Sequence, residues 1–296
     1  MLIKSQEIES FQVDDFIERA LAEDLASGDR TTEALIPPDQ IGRVVIIAKS
    51  EGILAGVQIA ISVWSRLDPN ISVISALRDG SSLRPVDSSS HNNGSVIAEI
   101  EGEVSTFLKG ERTAINILQH MSGIATETRK FVDAVKGHDV QIVDTRKTAP
   151  GLRSIQKYAV RIGGGSNHRQ NLGDGVLIKD NHLAALSNEG IGLMEIVRRA
   201  RSNTPHTLKI EVEVETIDQV SEALSAQADI LLLDNMSIST MQKAVNLIDR
   251  RAITEASGNV SLDNVREIAA TGVDMISIGR LTHSVKALDM SLELIK

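Results

Sequence analysis

Hydrophobic residues recur along this chain with two different rhythms, and the change between them divides it. Over residues 10–25, SFQVDDFIERALAEDL, the positions Val13, Phe16, Ile17, Ala20, Leu21 and Leu25 fall on one helical face. After the polar stretch ASGDRTTEALIPP, short apolar runs predict strands: RVVIIAK, ISVISAL, SVIAEIEG and EVSTFLKG. A helical segment, Val57 to Leu67, interrupts them, so this part reads as a mixed α+β layer domain. The run DSSSHNNGS reads as a flexible surface turn with no chemistry of its own.

From Gly110 the period lengthens. ERTAINILQHMSGIATETRKFVDAV carries apolar residues at 115, 118, 121, 124, 131 and 135, a helical spacing in which Ser122-Gly123 is a soft break. Strands then alternate with helical segments, near 140–143, 175–178, 208–214, 229–233, 252–255 and 273–278. Such alternation predicts parallel strands with crossover helices, as a closed barrel or an open doubly wound sheet. A barrel is the better reading, and residues 113–283 fall short of the roughly 200 that eight full units need, so it should be incomplete. The expected fold class is α/β: an N-terminal α+β sandwich domain over 1–112, then an incomplete parallel α/β barrel over 113–283. The segment from about 284 to 296 is expected to pack with the first domain.

Charge changes the picture more than composition does. The chain has formal net charge −9, from 31 Lys and Arg against 40 Asp and Glu. Between Asp144 and His182 the balance reverses: seven cations are opposed only by Asp144, Asp174 and Asp180. A local positive field on an acidic protein suits a small anion, whereas nucleic acid wants a broad basic face. Aromatics are only 2% of residues, so the core has to be aliphatic. Absence of cysteine removes disulfide and thiolate chemistry and fits a reducing compartment. MLIKSQEIES has no apolar h-region and no later run reaches membrane-spanning length, so a cytoplasmic protein without membrane contact is expected.

The residues just past each strand carry the chemistry. Asp144-Thr145-Arg146-Lys147 comes after QIV, and Lys179-Asp180-Asn181-His182 after GVLI. KIEVEVE presents Glu211, Glu213 and Glu215; ILLL runs into Asp234-Asn235, AITEA into Ser257-Gly258-Asn259, and MISI into Gly279-Arg280. In a parallel α/β barrel these ends share one face, where sites are built. Each piece alone has an ordinary reading: Arg146-Lys147 as a solvated loop pair, the glutamates as interior ion pairs, Ser257-Gly258-Asn259 as a strand-to-helix connector. The three glutamates point one way, which is tolerable in a lumen where cations or a metal meet them. A Ser-Gly-Asn turn and Gly279, each before a helix, form an arrangement that cradles phosphate with backbone N–H groups. Together these features point to an anion-binding enzyme.

ERTAINILQHMSGIAT, DTRKTAPGLR, GGGSNHRQNLGDGVLIKDNH, EVEVE, LLLDNMS, EASGNV and GVDMISIGRLTHSVKALD together resemble the quinolinate phosphoribosyltransferase family. The match runs in order from about residue 10 to the end, and the stretch from DTRKTAPG through NHR to KDNH is its most specific part. Asn259 stands where many members have a second glycine, and Arg280 where a smaller or apolar residue is usual. The resemblance implies that phosphoribosyl pyrophosphate with Mg²⁺, and quinolinate, give nicotinate mononucleotide, pyrophosphate and CO₂, a step of NAD synthesis. It places Arg112, Arg146, Lys147, His168, Arg169 and Lys179 around the pyridine carboxylates, with Lys147 and Lys179 also near the phosphoribosyl donor. Glu213 and Asp234 would face the ribose hydroxyls and the metal, and with Lys147 and Lys179 form the catalytic set. Ser257, Gly258, Asn259, Gly279 and His283 would hold the 5′-phosphate. A homodimer sharing its active sites is also implied, Arg112 reaching the neighbouring barrel.

Three other readings stay open at this level. A strand-end lysine, Lys179 or Lys147, could form a Schiff base in a lyase or aldolase acting on a sugar phosphate. A related pyrophosphorylase with another aromatic acid, or a non-catalytic phosphometabolite-binding protein, would also use these cations.

Overall fold

The structure is a computed structural model that describes residues 10–86, 94–187 and 190–295. The chain forms two compact units, bounded at 129/130, 147/148, 164/165 and 279/280. The first unit takes the beginning of the chain, the segment 148–164 and the C-terminal stretch from Arg280. The second takes the rest.

The first unit opens with α1 (Ser10–Leu25), which buries Ile17 and Leu21, and α2 (Arg30–Leu35). Asp29 caps α2 by accepting from the N–H groups of Thr31 and Thr32. β1 (Ile41–Ala48), β3 (Ser72–Ala76) and β5 (Val96–Glu103) are the runs expected as strands. They form an antiparallel sheet with β12 (Met290–Ile295), in the order β12-β1-β5-β3. The C-terminal strand therefore pairs with β1, Val44 opposite Leu294. β2 (Gly52–Ile53) and β4 (Ser82–Leu83) make a separate small pair. Between β2 and β3 lies α3 (Val57–Leu67), whose first N–H groups are satisfied by Asp79, at 2.8 Å from Gly56 N and 3.1 Å from Val57 N. α5 (Arg153–Ile162) and the short α11 (Arg280–His283) also belong to this unit. Most of the polar turn of 87–95 lies outside the described residues.

The expected strand EVSTFLKG is a correction. β5 ends at Glu103, and residues 104–110 are the first two turns of α4 (Val104–Ala134). Its buried positions, 104, 106, 107, 110, 113 and 114, fall on one helical face, so helical burial overrides the strand preference of Val, Thr and Phe. Phe107 meets Trp64 edge-on at 6.2 Å, and its carbonyl accepts the indole N–H. The expected break at Ser122-Gly123 is absent too. Ser122 is buried, with its hydroxyl 3.0 Å from the N–H of Ala55, and a Cβ on Gly123 would lie 2.3 Å from the carbonyl oxygen of Lys286. These small residues permit close approach within an unbroken helix. Consequently the domain boundary expected at 112/113 falls inside α4.

The second unit contains the six expected strands: β6 (Gln141–Val143), β7 (Val176–Ile178), β8 (Ile210–Val214), β9 (Ile230–Asp234), β10 (Ile253–Ser257) and β11 (Met275–Ser277). α6 (Asp180–Ser187), α7 (Leu193–Asn203), α8 (Ile217–Ser225), α9 (Ile238–Ile248) and α10 (Val265–Ala270) separate them after β7. All ladders are parallel, in the order β6-β11-β10-β9-β8-β7. Taken as a circle, that order follows the sequence, with the last strand returning to the first. A doubly wound sheet would instead reverse direction from an inner strand. Among the described residues no ladder joins β6 to β7; an isolated bridge, Val143 to Ser166, stands at that seam. The unit is an incomplete parallel α/β barrel. No helix among the described residues is long and apolar enough to cross a membrane.

The close approach at Gly123 yields a test. Gly123→Ala gains about 1 kcal/mol of helix propensity, but it drives a methyl group into a backbone carbonyl, an overpacking cost of about 1–3 kcal/mol. Urea unfolding should show a net loss of stability. An unchanged or higher midpoint would rule out the close packing at this position.

Candidate active site

The carboxyl ends of the barrel strands surround a cavity of about 580 Å³. Arg146, Lys147, His168, Arg169, Lys179, Glu213, Asp234, Ser257, Gly258 and Asn259 all line it. Strand alternation explains why: Val212, Val214, Leu231 and Leu233 are buried apolar positions, while Glu213 and Leu232 between them face the lumen. A larger cleft, about 1340 Å³, is lined at the amino ends of the strands by Asp139, Lys209, Asp229 and Arg251. That end of a barrel serves stability rather than chemistry.

The basic stretch divides once folded. Of its seven cations, Arg146, Lys147, Arg169 and Lys179 line the cavity, whereas Arg153, Lys157 and Arg161 lie on α5 in the first unit. Arg169 is fixed by donating from Nη1 to the carbonyl of Gly175 at 2.9 Å. Its pKa is held below the usual arginine range by burial first and by the Arg146 charge second. Lys179 pairs with Glu213, Nζ to Oε2 3.0 Å. His182 does not line the cavity; its Nδ1 accepts from the Lys179 N–H.

Carboxylates hold the other wall. Asp234 accepts from the side-chain amide of Asn235 at 2.7 Å, and the Asn235 carbonyl oxygen accepts from Asn259 at 3.0 Å. Asn259 has φ +48°, a left-handed conformation that Asn tolerates where Gly would be the default. Gly258 has φ +90°, and a Cβ there would lie 2.2 Å from the Asn235 oxygen, so only glycine fits. The turn precedes α10, which begins six residues beyond Asn259. Glu215 lies past the end of β8 and is exposed, unlike Glu211 and Glu213. Gly279 is the last residue of the second unit; Arg112, on α4, and His283, on α11, belong to the first. His283 Nδ1 contacts the Ser284 hydroxyl at 2.6 Å.

Three residues were not singled out from the sequence as site residues. Asp144 is fully buried, and its carboxylate accepts from Asn167 Nδ2 at 2.6 Å and from the His168 N–H at 2.8 Å. It therefore fixes the loop that carries His168. Asn235 is the hub between Asp234 and the Gly258-Asn259 turn. Glu255 is 1% exposed, deep in the lumen, and its carboxyl is pushed up to about 7, by burial foremost and then by the Glu211 charge. An acidic residue inside the apolar run AITEA was its only sequence signal.

Two family models match the chain in succession. Residues 29–122 match the family model for the quinolinate phosphoribosyl transferase N-terminal domain, and residues 124–293 that for its C-terminal domain. The chain is 43% identical over 271 residues to a probable nicotinate-nucleotide pyrophosphorylase (carboxylating) of Bacillus subtilis, covering 92% of this chain and 89% of that protein. It is 41% identical over 286 residues to the Mycobacterium leprae nicotinate-nucleotide pyrophosphorylase (carboxylating), covering 95% and 96%. Among solved structures, NadC of Streptococcus pyogenes superposes with TM-score 0.89 at 37% identity, covering 97% of this chain and 99% of that one.

Glu255 links stability to pH. An acid whose folded pKa exceeds its unfolded value of 4.5 contributes full stability below that pH and loses it as pH rises to about 7. Glu255→Gln, neutral at every pH, should therefore gain stability relative to wild type across that interval and hold the gain above it. Unfolding midpoints compared at both ends check this; a pH-independent difference would mean that Glu255 is ionised throughout.

Proposed function

Because the chain belongs to the quinolinate phosphoribosyltransferase family, we propose that this cavity transfers the phosphoribosyl group of phosphoribosyl pyrophosphate to quinolinate, releasing pyrophosphate and CO₂ and forming nicotinate mononucleotide. The observation that carries this reading is the convergence of Arg146, Lys147, Arg169 and Lys179 with Glu213 and Asp234 in one cavity. A planar dicarboxylate suits guanidinium forks, which give paired donors that lysine cannot. Arg146 and Arg169, with His168, hold the two carboxylates, and Lys147 and Lys179 lie between them and the donor's phosphates. As pyrophosphate leaves C1′, positive charge grows on the ribose, and Glu213 and Asp234 stabilise it. The Ser257-Gly258-Asn259 turn holds the 5′-phosphate. After ribosylation the positive pyridinium nitrogen stabilises the electron pair that departing CO₂ leaves on the adjacent ring carbon.

Glu213 and Asp234 offer the hard oxygen donors that Mg²⁺ prefers, with one oxygen of Glu213 engaged by Lys179 and one of Asp234 by Asn235. The donor set fits a Mg²⁺ held by one or two carboxylates, water and substrate phosphates. Bound there, the ion would neutralise charge on the leaving pyrophosphate. The lyase and aldolase readings are not favoured: Lys179 is half exposed and engaged by Glu213, unlike a desolvated Schiff-base lysine. We place the protein in the cytoplasm as a homodimer.

Pyrophosphate release measured separately with quinolinate, nicotinate and nicotinamide tests the substrate. Quinolinate should turn over and nicotinate should not, because a missing 2-carboxylate leaves the arginine and lysine charges that would meet it unpaired, a loss of about 2–5 kcal/mol once substrate excludes water from the pair. Comparable turnover of nicotinate would sink the assignment.

Arg112 lies outside the unit that holds the cavity, and we assign it to the partner's site. Arg112→Ala and Lys147→Ala homodimers should each be inactive. Co-expressed, they should recover roughly a quarter of wild-type activity: half the dimers are mixed, and each of those has one intact site. No recovery from a preparation shown to contain mixed dimers would remove Arg112 from the shared site.

A further inference from the structure

Deeper in the lumen than the substrate cations lies a second titratable group. His168 Nε2 is 3.3 Å from Glu211 Oε2 and 3.6 Å from Glu255 Oε2. Both glutamates are buried, and neither oxygen of Glu255 has a hydrogen bond of ordinary geometry. The three donors lie within 4.8 Å of one another, close enough for a metal ion, but the histidine tautomer opposes one. His168 Nδ1 accepts a hydrogen bond from the Arg169 N–H at 2.8 Å and so carries no proton. The proton of the neutral ring is on Nε2, the nitrogen that faces the glutamates, where a metal would have to displace it.

Two buried carboxylates at such close quarters do not both ionise. Glu211 is the nearer of the two to the Nε2–H, and the carboxyl pushed up, by burial foremost, is that of Glu255. Glu255 also stands between two openings. It lines the 580 Å³ substrate cavity and a smaller cavity of about 290 Å³, which is lined at the amino ends of the strands by Val176, Ile230 and Met275.

Resting on the function above, we propose that Glu255 is the acid that protonates the pyridine carbon when CO₂ departs, and that the second cavity restores its proton from solvent. The bond from ring carbon to 2-carboxylate breaks, CO₂ leaves, and the electron pair stays on the carbon beside the pyridinium nitrogen. That pair takes the Glu255 proton as the O–H bond breaks. The resulting carboxylate accepts one solvent proton, so each turnover consumes one proton per CO₂. The groups acting on Glu255 are Glu211 on β8 and Asp144 after β6, which favour its neutral form, and His168 and the Ser277 hydroxyl, which oppose it; burial outweighs them all.

The experiment follows pyrophosphate and CO₂ separately in single turnovers of quinolinate with phosphoribosyl pyrophosphate. In Glu255→Gln the rate of CO₂ release relative to pyrophosphate release should fall by about a hundredfold, and a nucleotide retaining both carboxylates should accumulate. In wild type the CO₂ step should slow as pH rises through about 7, and in Glu255→Gln that dependence should vanish. Glu211→Gln removes the charge that raises Glu255, so the slowing should move to lower pH. Equal release of both products by Glu255→Gln with the wild-type pH profile overturns the proposal, and so does an unmoved profile in Glu211→Gln if the first variant fails to fold. Absence of pyrophosphate release by wild type would instead overturn the substrate assignment.

Discussion

Charge placed inside a barrel must be answered there by opposite charge or by a proton, and this requirement organises the second unit. β8 alternates Val and Glu, so its apolar face is buried while Glu211 and Glu213 enter the lumen. Glu213, near the mouth, meets Lys179; Glu211, deeper, meets His168. Depth sets the answer, because desolvation grows inward. A lysine suffices at the rim, whereas on the floor the imidazole of His168 stands beside Glu211 and the carboxyl of Glu255 is pushed up by burial.

The same constraint explains Asp144. A fully buried carboxylate is tolerated because two N–H groups of the 167–168 segment donate to it, and the same two bonds fix where that segment lies. His168 is thereby held from behind by an acid at the end of β6 and from the side by the Arg169 N–H. On the opposite wall the Asn235, Gly258 and Asn259 cluster does for Asp234 what Asp144 does for His168.

The strands were legible because burial on both faces leaves short apolar runs bounded by charge, and the parallel order follows from their alternation with helices. Residues 104–110 were not: Val, Thr and Phe favour strands locally, and burial at helical spacing, with Phe107 against Trp64, decides for helix. Ser122-Gly123 misled for a related reason, since close approach to Lys286 is invisible without the fold. Cations at strand ends were visible as a charge reversal, yet only four of seven line the cavity, because the other three belong to α5, an element of the first unit. Glu255 was missed because one acid in a strand reads as an ordinary ion pair until its neighbours are known.

The seam between β6 and β7 bears on all of this. A closed cylinder has its radius set by strand number and stagger, so the spacing of groups around its rim is as rigid as the ladders themselves. Here Arg146 and Lys147 follow one lip of the seam and Lys179 the other, and among the described residues no ladder hydrogen bond spans the two. What joins the two lips is a point rather than a ladder: the bridge of Val143 to Ser166 and the bonds of Asp144 to Asn167 and His168 set the spacing of the cations on either side.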